Sequence, residues 1–165
     1  MKVNSKIVTL EDLNKIASKI VQTYNKTNKI LVIGLIGDLG SGKTTLVKEI
    51  AKQLNVNQPI ISPTFIIDRE YKLKNNNIMH HIDLYRLETE TELNEIITEG
   101  LIQNHNLILI EWYDRFSSYL DKLFDRNDVK LLKVYFEHYG EFERVIKIVY
   151  ENTIIKHKPN DNSNQ

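Results

Sequence analysis

The chain has 165 residues, enough for one domain that buries roughly 70% of its unfolded surface without staples. Lys plus Arg is 22 and Asp plus Glu is 22, a net charge of +0 that argues against a broad nucleic-acid-coating surface. With no Cys there are no disulfides, thiolate zinc sites or cysteine nucleophile. No apolar run approaches the ~20 residues that span a bilayer. The start, MKVNSKIVTLEDLNK, lacks the apolar core of a secretory signal, so a cytoplasmic protein is expected.

In chain order, Ile7 to Leu10 reads as a short strand. Leu10, Leu13, Ile16, Ala17, Ile20, Val21 and Tyr24 then fall at three- and four-residue spacing, the period of an amphipathic helix, with Thr9 as its N-cap. The segment Ile30 to Ile36 is continuously apolar and β-branched, the pattern of a strand buried on both faces of a parallel sheet. A glycine-rich turn follows, then a second amphipathic helix carrying Leu46, Val47, Ile50, Ala51 and Leu54. Asn55 to Pro59 is a loop, Phe65 to Leu73 is extended, Lys74 to Asn77 is a polar turn, and Ile78 to Leu84 is extended again. Thr89 to Ile97 is a helix with Thr89 or Thr91 at its cap. Leu107 to Ile110 is a second fully apolar strand, and Arg115 to Phe124 is helical. Val129 to Phe136 and Arg144 to Tyr150 form a hairpin about Gly140. With Gly37-Asp-Leu-Gly-Ser-Gly-Lys-Thr44, a match to the phosphate-binding loop, as the glycine-rich turn, the expected fold is α/β: a P-loop NTPase-like sandwich, mostly parallel in its central sheet, with an antiparallel edge hairpin. One domain should occupy residues 1–151, followed by a polar, flexible tail over 152–165.

The segment Gly37-Asp-Leu-Gly-Ser-Gly-Lys-Thr44 matches G-x-x-x-x-G-K-[ST] between a buried strand and a helix. Its glycines permit positive φ and let amides approach phosphate closely. Successive N–H groups form an anion nest at the positive end of a helix. Lys43 is a compact charge for β- and γ-phosphates, and Thr44 offers a hydroxyl to Mg²⁺. Gly37, Asp38, Leu39, Gly40, Ser41, Gly42, Lys43, Thr44 and Thr45 are therefore the nucleotide-binding candidates. The chemistry also needs carboxylates at the C-terminal ends of neighbouring strands. Asp83, after His80-His81-Ile82, and Glu111, after Leu107 to Ile110, fit that requirement, reaching Mg²⁺ directly or through water; the alternative for each is a strand-end carboxylate that faces solvent or caps a neighbouring turn.

Four ordered motifs now stand together: Gly37 to Thr45, Ser62-Pro-Thr-Phe65, His81-Ile-Asp-Leu-Tyr-Arg-Leu87 and Ile110-Glu-Trp112. In combination, from about residue 9 to residue 115, they resemble the TsaE (YjeE) family. That family is the ATPase component of the bacterial machinery that makes threonylcarbamoyladenosine in tRNA. The resemblance implies that Lys43 and the loop amides bind ATP, that Thr44 and Glu111 hold Mg²⁺, and that Asp83 is the Walker B acid acting on water or metal. Lys43, Asp83 and Glu111 would form the catalytic set. It further implies a γ-phosphate-sensing Thr64, a Glu11 near the adenosine and a Trp112 beside the metal. The implied partners are the threonylcarbamoyl-transferase subunits, proteins of the TsaB and TsaD type, with tRNA contacted indirectly. The chain departs from the family where Tyr113 replaces the usual Pro after Glu-Trp, and where a Gly common near Ile96-Ile97 is absent.

The remaining features carry less. His80 and His81 are adjacent, so on a strand they face opposite sides and do not share a metal. Arg86 and Arg115 are the candidates for an arginine finger. Lys156, His157 and Lys158 read as a solvated tail. A small-molecule kinase is the runner-up function, but the arginines are scattered rather than gathered in a lid. A nucleotide switch without turnover is the third reading. Guanine recognition would show Asn-Lys-x-Asp; Asn25-Lys-Thr-Asn28 ends in Asn and precedes the loop, so ATP is favoured.

Overall fold

The structure, a computed structural model, describes residues 3–8, 10–102, 105–139 and 143–151. The expected N-cap Thr9, the turn at Gly140 and the tail over 152–165 lie outside the described residues. Among the described residues, seven strands form one sheet: β1 (Val3–Val8), β2 (Ile30–Ile36), β3 (Asp68–Lys72), β4 (Ile78–Asp83), β5 (Leu107–Glu111), β6 (Val129–Tyr139) and β7 (Glu143–Glu151). Their spatial order is β1-β7-β6-β2-β5-β4-β3. The four central strands, β6, β2, β5 and β4, run parallel. The β6–β7 hairpin is antiparallel, as the sequence predicts.

Both edges extend beyond that expectation. β1 adds antiparallel to β7, and β3 adds antiparallel to β4. Only residues 73–77 connect β3 to β4, and a parallel crossover needs a dozen or more. The N-terminal strand also begins earlier than its apolar residues suggest, and Leu10 belongs to the following helix.

Four α-helices among the described residues cover the sheet: α1 (Leu10–Lys26), α2 (Lys43–Gln53), α3 (Glu90–Ile96) and α4 (Ser117–Leu123). Leu13, Ala17 and Ile20 of α1 and Leu46, Val47 and Ile50 of α2 share one core with Leu31, Ile33, Leu35 and Leu109 of the sheet. Leu93 of α3 and Leu120 of α4 share the other with Val32, Ile82, Ile108 and Ile110. β2 is apolar throughout because both of its faces are covered. Thr89 caps α3 in a full capping box with Glu92, which decides between the two expected caps. The helix expected over Arg115 to Phe124 is divided into a 3₁₀ turn, Tyr113–Phe116, and α4. No helix among the described residues is long and apolar enough to cross a membrane.

The expected strand over Phe65 to Leu73 is corrected in its first part. Phe65 and Ile66 lie in a turn in which the amides of Ile66 and Ile67 both donate to the Pro63 carbonyl. Ile67 sits at φ +75°, a conformation that a β-branched residue rarely adopts. The apolar run has the composition of a strand, but the ladder with β4 starts only at Asp68.

Tyr113, which stands where the resembled family has Pro, is fully buried and lies against Gly34 of β2. A Cβ on Gly34 would meet the Tyr113 ring at 2.7 Å. The phenol donates to Asp121 Oδ1 at 2.8 Å, so the ring is held at both ends. Gly34→Ala is therefore expected to lose about 1–3 kcal/mol by overpacking, read as a fall in Tm of several degrees. Gly34→Ala combined with Tyr113→Leu should recover part of that loss. Equal Tm in Gly34→Ala and wild type would show that the contact is not tight.

Candidate functional site

The parallel register assembles the site. Leu35 of β2 pairs with Glu111 of β5, and Glu111 pairs with Asp83 of β4. The glycine loop leaves β2 at the same level. Three adjacent strands thus deliver the loop and two carboxylates to one edge, the carboxyl ends where open α/β sheets bind ligands. The cleft there has a volume of about 300 Å³ and is lined by the loop from Leu39 to Thr45, with Ser62, Thr64, Asp83, Glu111 and Trp112.

The loop is shaped by its glycines. A Cβ on Gly37 would lie 2.6 Å from the Phe136 carbonyl oxygen, and Gly42 sits at φ +107° as the residue before α2. No side chain caps α2 there, so the positive end of the helix faces the cleft. Lys43, only 4% exposed, folds back across the loop. Its Nζ donates to the Gly37 carbonyl at 2.6 Å and the Asp38 carbonyl at 2.8 Å, and lies 4.0 Å from the centre of the Trp112 ring. Burial lowers the pKa of the ammonium, while the nearby charges of Glu111, Asp83, Asp114 and Asp38 oppose the shift.

Glu111 is buried at the end of β5, and its Oε1 accepts from Thr44 Oγ1 at 2.8 Å. Asp83 is likewise buried. Its Oδ2 accepts from Thr64 Oγ1 at 2.6 Å and from Ser62 Oγ at 3.3 Å, and its Oδ1 accepts from the Tyr85 amide at 2.9 Å. The hydroxyls of Thr44, Thr64 and Ser62 and two carboxylates converge on the cleft. An all-oxygen donor set suits a hard cation such as Mg²⁺ better than a soft one.

The structure brings the sequence-predicted site residues from Leu39 to Thr45 together with Thr64, Asp83 and Glu111 around the cleft; Gly37 and Asp38 do not line it and join through their carbonyls' bonds from Lys43, and the side chain of Glu11 lies outside the described residues. Trp112 joins them at φ +60° as a cation–π partner of Lys43. The arginine-finger candidates are occupied elsewhere: Arg115 donates to the Leu87 carbonyl at 2.7 Å, and Arg86 lies over the Phe65 ring. Two contacts go beyond the sequence reading, that of Ser62 to Asp83 and that of His81 to Glu111, where Nε2 lies 2.8 Å from Oε1. Strand alternation contains the second signal, because His81 stands two residues before Asp83 on the same face. His80 faces the other side, with Nδ1 3.1 Å from Asp68 Oδ2, so the two imidazoles do not share a ligand. A second cleft of about 280 Å³, with Tyr24, Gln53, Lys74 and His105 in its walls, has no carboxylate among its described lining residues.

The family described as "Threonylcarbamoyl adenosine biosynthesis protein TsaE" matches residues 7–145. A protein of Nostoc sp. named "tRNA threonylcarbamoyladenosine biosynthesis protein TsaE" is 41% identical over 104 residues, covering 59% of this chain and 64% of that protein. Proteins of the same name from Rickettsia felis and Bacillus subtilis are 44% identical over 103 residues and 34% identical over 100 residues. They cover 62% and 59% of this chain, and 57% and 59% of their own lengths. The chain thus spans about three fifths of the length of these curated relatives. The crystal structure of Bacillus subtilus YdiB has the same fold, with a TM-score of 0.61 at 23% identity, over 89% of this chain and 84% of that one.

Proposed function

The chain belongs to the TsaE family of threonylcarbamoyl adenosine biosynthesis proteins, and we propose that it is an ATP-binding, ATP-hydrolysing subunit required for threonylcarbamoyladenosine formation in tRNA. It acts on the carbamoyl-transfer partners, of the TsaB and TsaD type, rather than performing the transfer. The observation that carries this reading is the convergence of the glycine loop, Lys43, the Thr44–Glu111 pair and Asp83 at the ends of three adjacent strands. The names of the relatives support the process, and the site supports the nucleotide. Asn25, which opens the nearest approach to a guanine-recognition motif, lines the second cleft, and no residue from Asn25 to Asn28 lines this one, which favours ATP over GTP.

In this reading the loop amides from Asp38 to Thr44 take the phosphate oxygens, and the uncapped start of α2 adds its partial positive charge. Lys43 leaves its two carbonyl partners to reach the β- and γ-phosphates. The Thr44 hydroxyl and Glu111 would hold Mg²⁺, with Asp83 beside them. The metal, when bound, neutralises charge on the β- and γ-phosphates. Asp83 orients the attacking water and accepts its proton. Through its hydrogen bonds to Thr64 and Ser62, it also ties the segment from Ser62 to Thr64 to the reacting end of the nucleotide. Trp112 covers Lys43 and excludes water from that charge.

The test is ATP hydrolysis by the purified chain, alone and with TsaB- and TsaD-type proteins. Turnover should be slow alone and rise when they are added, with a complex detectable by sedimentation. Turnover indifferent to the partners, with no complex, would replace this reading with a small-molecule kinase or free-standing hydrolase.

A further inference from the structure

His81 is fully buried on β4, on the face of the sheet that carries α1 and α2. Its register partner on β5 is Leu109, and Met79 precedes it on the same face. Nε2 reaches Glu111 Oε1 at 2.8 Å, whereas Nδ1 is buried with no hydrogen-bond partner among the described residues. A carboxylate accepts, so Nε2 carries the hydrogen of this contact and Nδ1 is left without one. An apolar side chain would fill this position without burying an unpaired atom. Half the hydrogen-bonding capacity of the imidazole is forgone for the half aimed at Glu111, and packing does not account for that.

We propose that His81 is a positioning residue that clamps Glu111 Oε1 and so sets the orientation in which the carboxylate, with Thr44, receives a divalent cation. The inference rests on the metal role proposed above for Thr44 and Glu111. Oε1 takes hydrogen bonds from two elements, His81 on β4 and Thr44 at the start of α2. The two donors differ in one respect. The Thr44 hydroxyl rotates and is itself a proposed metal ligand, so its hydrogen bond changes when the cation arrives. The imidazole is enclosed, and its bond to Oε1 persists in both states. A glutamate carboxylate turns easily about its last torsion; the clamp removes that freedom before binding. Partners of metal ligands act in this way, and their loss typically weakens the metal about 10- to 100-fold.

Two variants separate positioning from packing. Gln at position 81 carries an amide N–H about where Nε2–H lies, whereas the Asn amide falls near Nδ1, short of Glu111. ADP binding by the full chain is measured by calorimetry in EDTA and across a Mg²⁺ titration. His81→Asn should need about tenfold more Mg²⁺ for half its effect on ADP affinity. His81→Gln should stay near wild type, and all three proteins should bind ADP alike in EDTA. An unshifted Mg²⁺ requirement in His81→Asn, or equal shifts in both variants, overturns the positioning role. ADP affinity in wild type that ignores Mg²⁺ overturns the metal role of Thr44 and Glu111, and the inference with it. A Mg²⁺-responsive wild type beside an unshifted His81→Asn removes His81 alone. Nitrogen-15 NMR of the wild-type imidazole needs no variant to fold: the Nε2–H tautomer supports the clamp, and the Nδ1–H tautomer overturns it.

Discussion

Lys43→Ala is expected to weaken ATP binding by about 10- to 100-fold, since hydrogen bonds to a charged partner contribute about 1.5–3 kcal/mol. Turnover should fall further, because in the proposed function the same charge would face the negative charge that develops on the transferring phosphoryl group. The fold should survive, because the ammonium bonds only to two loop carbonyls, of Gly37 and Asp38, and rests on the Trp112 ring. Lys43→Arg should not rescue it. The ammonium occupies a gap with carbonyl oxygens at 2.6 and 2.8 Å and a ring at 4.0 Å, and a planar guanidinium is a poor substitute for a point charge there. Calorimetry with ATP and a steady-state phosphate-release assay give the two readouts, with Tm as the control on folding. Wild-type binding and turnover in Lys43→Ala would remove the phosphate site from this loop.

Asp83→Ala should separate turnover from binding. Nucleotide affinity should change by no more than a few-fold, because the loop amides and Lys43 remain. Hydrolysis should fall by about 10²–10⁴-fold, the usual contribution of a positioned acid or base. A second signature follows from the hydrogen bonds. Asp83 holds Thr64 at 2.6 Å and Ser62 at 3.3 Å, so its removal should raise amide exchange and protease sensitivity across residues 61–67. Ile67, at φ +75°, and the exposed Phe65 and Ile66 mark that segment as one held in place by a few contacts. Unchanged exchange in Asp83→Ala would show that the segment is fixed by other means. Unchanged hydrolysis would move the water-orienting role to Glu111.

Local features of the chain were readable because their signals are local. The loop from Gly37 to Thr44 is set by glycines whose backbone demands are intrinsic. α1 follows from a 3.6-residue period, and β2 from an apolar run that only a doubly covered strand tolerates. Asp83 and Glu111 were identifiable as carboxylates at strand ends, and the ordered motifs pointed to the family that residues 7–145 match. The same local reasoning failed at Phe65 to Ile67, where β propensity had no ladder partner to act on.

What the tertiary structure alone decided is which of these groups meet. Thr44 and Glu111 are 67 residues apart, and His81 and Glu111 are 30 apart. Their contacts depend on the order β2-β5-β4 and on a register that aligns Leu35, Glu111 and Asp83. Trp112, which the resemblance placed beside the metal, lies against Lys43. Tyr113 became the side chain that requires a glycine at position 34. A short-range pattern records the conformation each segment prefers. The alignment of strands distant in sequence is chosen by burial of both sheet faces at once, and that collective choice leaves no mark on any single residue.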